Sequence, residues 1–258
     1  RVGATGCGAG EGDGATGGSG WVGGYRGGAW EAGVKLSDSA VHAVLPRVAL
    51  NGAGEAVVAF EVVEGSDVNR TVWARRYDGA AWLAAERLSE APSGPNALYA
   101  SRSRVGLDAS GKALVAWDQT KGGNASTIHA SRFDGASWSA PFAVSAGTTS
   151  ALWVDAAVSA GGRAAVVWVQ DTNPYDPGKS GGGPSNPTIR ARVLADGVWA
   201  DPQVLCTALA DYEGTERPRV VMDDAGGAFA VWEEHRSVNR IMAATLDPNE
   251  VTTWSTPS

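Results

Sequence analysis

Hydrophobic and polar residues alternate along most of this chain in short runs, and no stretch sustains a capped helical period. The run over residues 47–89, RVALNGAGEAVVAFEVVEGSDVNRTVWARRYDGAAWLAAERLS, shows the pattern at its clearest. Two apolar segments flank the turn Asn51-Gly52-Ala53-Gly54. A third covers 71–77, and a fourth opens at Trp82 and ends at Leu88-Ser89. Alternation at period two between turn residues predicts four successive strands.

The same unit returns three more times. Val48, Asn51, Gly54 and Phe60 correspond to Val105, Asp108, Gly111 and Trp117, then to Ala156, Ser159, Gly162 and Trp168, then to Val220, Asp223, Gly226 and Trp232. The aromatic stands 12 residues after the first position and 6 after the glycine in all four. A short hairpin turn needs a residue free to take positive φ, and Asn or Asp three places earlier favours the same turn. The third segments, 72–79, 128–135, 189–196 and 241–248, each place Ala two after an initial Val or Ile (Ala74, Ala130, Ala191 and Ala243). A small residue there predicts close approach of a neighbouring sheet. A second tryptophan recurs at Trp30, Trp82, Trp138, Trp199 and Trp254, at intervals of 52, 56, 61 and 55.

A repeat of this length, four strands long, predicts an all-β fold: a β-propeller built from four-stranded antiparallel blades. One sheet cannot bury both its faces, whereas radially stacked copies can, and the recurrent aromatic would fill the space between them. The full units cover about 46–89, 103–145, 154–205 and 218–258. A partial unit covers 21–37, because Trp21, Tyr25, Trp30, Leu36 and Ser37 match Trp73, Tyr77, Trp82, Leu88 and Ser89, each pair 52 apart. Two arrangements stay open, a ring closed on itself and a fragment of a larger propeller. Residues 1–20 are Gly-dominated and read as a flexible leader or linker.

These units resemble the blades of bacterial propellers in the broad sialidase-like group, and of propeller lectins. The likeness rests on the apolar strand, the D-x-x-G turn and the second apolar strand ending in Trp. The Asp-box of sialidases is not matched, since FDGASW (133–138) lacks its Ser and its spacing. The resemblance implies a secreted protein with sugar sites on rim loops or between blades, and leaves activity open.

Composition narrows the partners. A formal charge of -7, from 21 basic and 28 acidic residues, argues against a nucleic-acid footprint. Eleven Trp against four Phe and five Tyr points to a repeated structural or sugar-stacking role. No run of 18 apolar residues predicts a transmembrane helix. Ala4-Thr5-Gly6-Cys7 resembles a bacterial lipobox with Ala in place of the usual Leu, which would anchor the chain by a lipid at Cys7; the competing reading is a linker with a chance cysteine. Cys206 is the only other cysteine, and sequence gives no ground for pairing the two.

Three sets of candidate site residues emerge. Trp82, Trp138 and Trp199 could stack on sugars. Arg47, Arg104 and Arg219 share one repeat position, with Asp155 in the third unit, and three arginines there could clamp a carboxylate. The insertion 171–187 breaks the repeat, and its Asp171, Asn173 and Asp176 are oxygen ligands of the type calcium takes, without a known calcium-loop spacing. Glu61, Asp118, Glu233 and Glu234 follow the core aromatics on one rim, where repetition favours a structural role over an asymmetric catalytic pair. The three histidines show no metal spacing, and no nucleophile-elbow or phosphate-loop motif is present. The expectation is a non-enzymatic extracytoplasmic module of a bacterium that binds glycan or protein. The alternatives are a glycoside hydrolase or lyase of the sialidase-like propeller type, and a structural surface protein.

Overall fold

The computed structural model describes residues 3–4, 21–26, 28–37, 42–64, 69–92, 98–122, 125–147, 149–171, 187–206, 214–235 and 238–258. Among them every regular helix-or-strand element is a strand. The partial unit holds β1 (Gly3–Ala4), β2 (Trp21–Val22), β3 (Gly24–Arg26), β4 (Ala29–Trp30) and β5 (Val34–Lys35). The first full unit holds β6 (His42–Leu50), β7 (Ala56–Val63), β8 (Arg70–Tyr77) and β9 (Glu86–Arg87), and the second β10 (Leu98–Leu107), β11 (Ala113–Lys121), β12 (Thr127–Phe133) and β13 (Phe142–Ala143). The third holds β14 (Ala151–Val158), β15 (Ala164–Asp171), β16 (Pro187–Ala195), β17 (Val198–Trp199) and β18 (Gln203–Cys206). The last holds β19 (Gly214–Met222), β20 (Ala228–His235) and β21 (Arg240–Leu246).

Within each full unit the first, second and third strands pair antiparallel in order, and β9, β13 and β18 pair with the third strands of their units. The register repeats too. Ala74 pairs with Glu86, Ala130 with Phe142 and Ala191 with Gln203. In the last unit Ala243 and Ser258 exchange two backbone hydrogen bonds of 3.1 Å at the same place. In the partial unit Tyr25 pairs with Trp30 and Trp21 with Lys35, as Tyr77 bridges Trp82 and Trp73 pairs with Arg87. Residues 21–35 therefore supply third and fourth strands. β1 pairs with Tyr25 and Gly24 in the place where Ala56 and Val57 pair with Tyr77 and Arg76. Cys7 and the rest of the leader lie outside the described residues.

Side chains two apart on a strand share a face, and the sheets of the first three full units bury both faces against their neighbours. One face of a unit carries the aromatic of the second strand, and it packs on the opposite face of the unit before it. Phe60 meets Leu36 and Val22, and Trp117 meets Val57, Ala59, Val72 and Ala74. Trp168 meets Leu114, Ala116, Ile128 and Ala130, and Trp232 meets Ala165, Val167, Ile189 and Ala191. The small third-strand alanines make room for the aromatic of the next unit. Each fully buried indole or phenyl contributes roughly 2–3 kcal/mol by removal from water.

A buried indole N–H needs an acceptor. Trp117 donates to Gln119 Oε1 at 3.1 Å and Trp168 to Gln170 Oε1 at 3.0 Å, each partner two residues on and on the same face. Where the aromatic is Phe60, which has no N–H, the corresponding residue is Val62, buried and apolar.

Tight turns close one rim of the assembly. Asn51 Oδ1 accepts from the Ala53 and Glu55 amides, Asp108 Oδ1 from Ser110 and Lys112, and Asp223 Oδ1 from Gly227. Gly54, Gly111, Gly162 and Gly226 sit at φ 83, 81, 83 and 92°, where a side chain would be strained. Away from the turns, the inner strands β10 and β14 approach so closely that a Cβ on Gly106 would stand 2.9 Å from Val158 Cβ.

An arginine also rivets neighbours together. Arg75 donates from Nε to Leu83 O (2.6 Å) and from a terminal nitrogen to Lys35 O (3.0 Å) of the unit before. Arg192, at the same repeat position, reaches Ala200 O (2.6 Å) and Val144 O (3.1 Å).

Replacing Gln119 by Val should cost roughly 1–3 kcal/mol by stranding the Trp117 N–H. Adding W117F should return part of that loss, because Phe60 and Val62 already coexist in this way. Chemical denaturation of both singles and the double would show it, and strict additivity would overturn it. Gly106→Ala should destabilise by about 1–3 kcal/mol through overpacking against Val158, and an unchanged denaturation midpoint would refute the close approach.

Candidate functional site

The two rims differ. The tight turns lie on one, and on the other lie the strand ends from which the chain passes from second to third strands and from one unit to the next. Loops of that kind on a rigid scaffold are where binding and catalytic groups are usually placed.

Every first strand has a β-bulge near this rim. Register shifts between Val44 and Arg47, Ser101 and Arg104, Leu152 and Asp155, and Glu216 and Arg219. One residue of each bulge is left-handed: Leu45, Arg102, Trp153 and Arg217, at φ 51, 55, 58 and 50°. A bulge frees backbone N–H groups from the ladder, and the carboxylate of the preceding unit takes them up. Glu61 Oε1 accepts from Arg102 N at 2.7 Å. Asp118 Oδ2 accepts from Trp153 N at 3.0 Å and its Oδ1 from Val154 N at 3.2 Å.

The side chain at the left-handed position answers the carboxylate of its own unit. Arg102 pairs with Asp118 at 2.8 Å and Arg217 with Glu233 at 3.2 Å. In the third unit Trp153 faces this role with Val169, both uncharged. Glu61, whose own unit offers Leu45, takes Arg70 instead at 3.4 Å. Burial pushes the Asp118 and Glu61 carboxyls above their ordinary values, against the pull of the Arg102 guanidinium and the Trp153 and Val154 amides on Asp118, and of the Arg102 amide and the Arg70 guanidinium on Glu61. These repeated acids hold the units together and are already engaged.

The shared arginine position comes together on the inner strands. Arg104 Nε donates to Asp155 Oδ1 at 2.9 Å, and Asp155 Oδ2 accepts from Val220 N at 3.0 Å. Burial lowers the Arg104 guanidinium from its ordinary value; Asp155 opposes this, and the positive charges of Arg47 and Arg219 add to it. Arg47 and Arg219 are exposed and donate to the carbonyls of the adjacent Pro46 and Pro218, at 3.0 and 2.9 Å. The three arginines and one aspartate thus leave an excess of positive charge along the inner strands.

The last unit departs from the others at the long-connection rim. Glu216, Arg217, Glu233 and His235 stand together there, where the first unit has Val44, Leu45, Glu61 and Val63. His235 Nε2 lies 3.6 Å from Glu233 Oε2 and 3.9 Å from Glu216 Oε2, and all three side chains are about one-third exposed. An imidazole placed between two carboxylates and beside a guanidinium is arranged for proton transfer.

The recurrent Trp82, Trp138 and Trp199 are half-buried hairpin closers. Trp82 bridges and packs on Tyr77 (ring centroids 5.4 Å), and Trp138 does the same on Phe133 (5.5 Å). Trp199 pairs with Leu194 and stacks on Phe142 of the neighbouring unit at 5.8 Å, with Arg192 over both rings. Their rings are mostly spent on packing. Asp171 ends β15 and pairs with Pro187, while Asn173 and Asp176 lie outside the described residues. Among the described residues no three acidic, His or Cys side chains are placed to hold a metal ion. Sequence reading missed Arg102, Arg217 and Glu216. The signal available was the match between two repeat positions: Arg102 with Asp118, Arg217 with Glu233, and uncharged Trp153 with uncharged Val169.

No family model matches the chain, and no curated sequence is similar to it. Solved structures do match. A polysaccharide lyase, an ulvan lyase, aligns over 93% of this chain and 61% of its own, at 9% identity and a TM-score of 0.59. A Hadza microbial sialidase aligns over 95% of this chain and 55% of its own, at 12% identity and a TM-score of 0.51. An α-L-arabinofuranosidase of Fusarium graminearum, in complex with arabinobiose, aligns over 92% and 72%, at 12% identity and a TM-score of 0.50. The fold is a β-propeller. The chain spans little more than half the length of the first two, and identity at this level speaks for the propeller alone. Among the described residues, no helix of the propeller is long and apolar enough to cross a membrane.

Replacing Asp118 by Ala should destabilise the propeller by roughly 1–3 kcal/mol for each bulge N–H it strands, while Glu90→Ala, which breaks an exposed pair with Lys121, should cost about 0–1 kcal/mol. Equal shifts in denaturation midpoint would refute the clamp. Stability should also fall in acid through His129, which stacks on Trp117 at 6.1 Å. Burial lowers the His129 pKa from 6.5, so the unfolded chain binds more protons just below that pH, and stability drops as pH falls through this window. H129Q should flatten that part of the wild-type pH–stability curve, and superimposable slopes would count against it.

Proposed function

We propose that this propeller is an extracytoplasmic enzyme that cleaves glycans, of the glycoside hydrolase or polysaccharide lyase type. The reading is carried by one observation: Glu216, Arg217, Glu233 and His235 gather on the long-connection rim of a single unit. Catalytic groups are asymmetric, whereas the engaged carboxylates Glu61 and Asp118 recur and serve packing. Support also comes from the solved structures of similar fold, which include a sialidase, an ulvan lyase and an arabinofuranosidase.

The chemistry available is proton transfer. Glu216 and His235 are the pair that moves the proton, and Glu233, held by Arg217, positions the imidazole. In hydrolysis a protonated group delivers its proton to the glycosidic oxygen as the C–O bond breaks, while a second group activates the attacking water. In elimination the neutral imidazole removes the proton next to a uronate carboxylate, and the leaving sugar oxygen departs as the double bond forms. The positive excess on the inner strands, from Arg47, Arg104 and Arg219 against Asp155, favours an acidic glycan in either case.

A second reading, a non-enzymatic glycan-binding module, is favoured by the engagement of Glu61 and Asp118 and by the arginines, which bind anions without any chemistry. A panel of acidic and neutral polysaccharides separates the two. Release of new reducing ends, or absorbance from a new C=C bond, should appear with one acidic class. E216Q and H235A should each lower kcat about 100-fold or more with the fold retained. Binding without turnover would replace the enzyme by the binding module, and turnover indifferent to both changes would move the site elsewhere.

A further inference from the structure

The left-handed bulge residues Leu45, Arg102, Trp153 and Arg217 stand at one repeat position on the long-connection rim. A bulge re-aims the side chain it carries, and a bulky residue at positive φ is a conformational outlier that points to function. Arg217 belongs to the proposed catalytic group, and Leu45 is aliphatic. Arg102 and Trp153 remain. They belong to the second and third units, each of which has a sheet packed on either side.

One carboxylate oxygen brings these two residues together. Arg102 Nη1 donates to Asp118 Oδ2 at 2.8 Å, and the Trp153 amide donates to that same oxygen at 3.0 Å. Among the described residues the Arg102 guanidinium makes no other hydrogen bond, and its side chain is 46% exposed. Its Nε–Nη2 edge is open to a planar anion in the two-pronged manner of guanidinium and carboxylate. Trp153 is part-buried against the cluster that holds Val169. Val169 stands where the second unit has Asp118, so the side chain at this bulge has no ion pair to make. Covering Val169 does not itself call for an indole, since Leu45 adopts the same bulge.

We infer that Arg102 and Trp153 form a subsite for a uronic acid residue of a glycan. The guanidinium takes the carboxylate, and the indole takes the apolar C–H face of the sugar ring. A uronate meets both demands at once, because its carboxylate is attached directly to the ring. An indole offers such a ring a large flat area at little entropic cost. The subsite rests on the reading of this rim as the glycan face, and it uses none of the groups assigned to proton transfer. It lies one unit before Glu216 and His235 on the same rim, where it holds a sugar other than the one being cut.

Equilibrium binding tests this apart from turnover. The probes are tetramers of galacturonate, of mannuronate and of glucuronate, with the carboxyl-reduced form of each. They are titrated calorimetrically into the full chain carrying E216Q, so that cleavage does not intrude. At least one acidic probe should bind, and its reduced form about tenfold or more weaker. Trp153→Leu and Arg102→Leu each place at the bulge the residue type that Leu45 already holds there, so both should fold. W153L should weaken the acidic probe about tenfold, and W153F should keep most of the affinity. R102L should erase the preference for the acid over its reduced form. R102K keeps the pair with Asp118 but loses the fork, so it should weaken the acidic probe too, and it serves where R102L fails to fold. No acidic probe bound, equal affinity for acid and reduced forms, or binding indifferent to W153L and R102K would overturn the subsite. Turnover that persists beside such a result would leave the glycan-cleaving reading standing. Uronate binding that depends on Trp153 and Arg102 in a protein that cleaves nothing would uphold the subsite and sink that reading instead.

Discussion

Everything in this molecule depends on one packing event, the entry of a second-strand aromatic into the hollow of the sheet before it. A single antiparallel sheet with two apolar faces is unstable in water, and neither face here is polar enough to be left wet. Stacking satisfies both at once. The hollow exists because the third strand carries Ala74, Ala130 and Ala191 beneath the ring, and the N–H groups of Trp117 and Trp168 are provided for by Gln119 and Gln170. Size, shape and polarity are therefore solved together by residues two apart on neighbouring strands.

Close to the axis the constraint changes from apolar to polar. The first strands converge there, and each relieves the crowding with a bulge that releases backbone N–H groups from its ladder. Such groups cannot be left dry, so the preceding unit provides a carboxylate. That carboxylate, desolvated in turn, needs a guanidinium or several N–H donors. Asp118 has both, and Glu61 has a weaker set, with Arg70 at 3.4 Å. The third unit, whose own bulge is served by Asp118, carries Val169 at the carboxylate position, and the last unit's first strand instead donates Val220 N to Asp155. Charge here is a consequence of bulge geometry, which is why it recurs with the repeat.

Much of the fold was legible because the repeat is strict where the packing is strict. The distances from Val48, Gly54 and Phe60 recur unchanged in every full unit, and the structure places all three sets at a strand, a turn and an inter-unit hollow. The partial unit was legible for the same reason, down to the pairing of Tyr25 with Trp30. The candidate site was legible only in outline. Arg47, Arg104 and Arg219 do meet on the inner strands, but nothing in their spacing announces that Asp155 is the partner of Arg104. The tryptophans Trp82, Trp138 and Trp199 suggested sugar stacking because composition cannot tell an exposed ring from one that closes a hairpin. Arg102, Arg217 and Glu216 escaped notice because a bulge adds a residue without leaving a mark in hydrophobic periodicity. His235 was visible as a residue but not as a neighbour of two carboxylates across the strand pair.

The division between the rims follows from how the strands are joined. Connections between first and second strands are hairpins whose length is fixed by turn geometry, and Asn51, Asp108 and Asp223 show how little they vary. Those between third and fourth strands are hairpins too, lengthened only in the last unit, where Leu246 bridges Trp254 as Tyr77 bridges Trp82. Connections between second and third strands, and between units, have no such limit, and there the repeat breaks. A titratable cluster can arise at that rim in one unit without disturbing the others, since the clamp one layer below already holds the sheets in register. The last unit does this with Glu216 and His235 at positions that hold Ser101 and Thr120, or Val44 and Val63, elsewhere. Its Glu233 stands at the position of Asp118 and pairs with Arg217 as Asp118 does with Arg102, and His235 follows two residues on along the same face of β20.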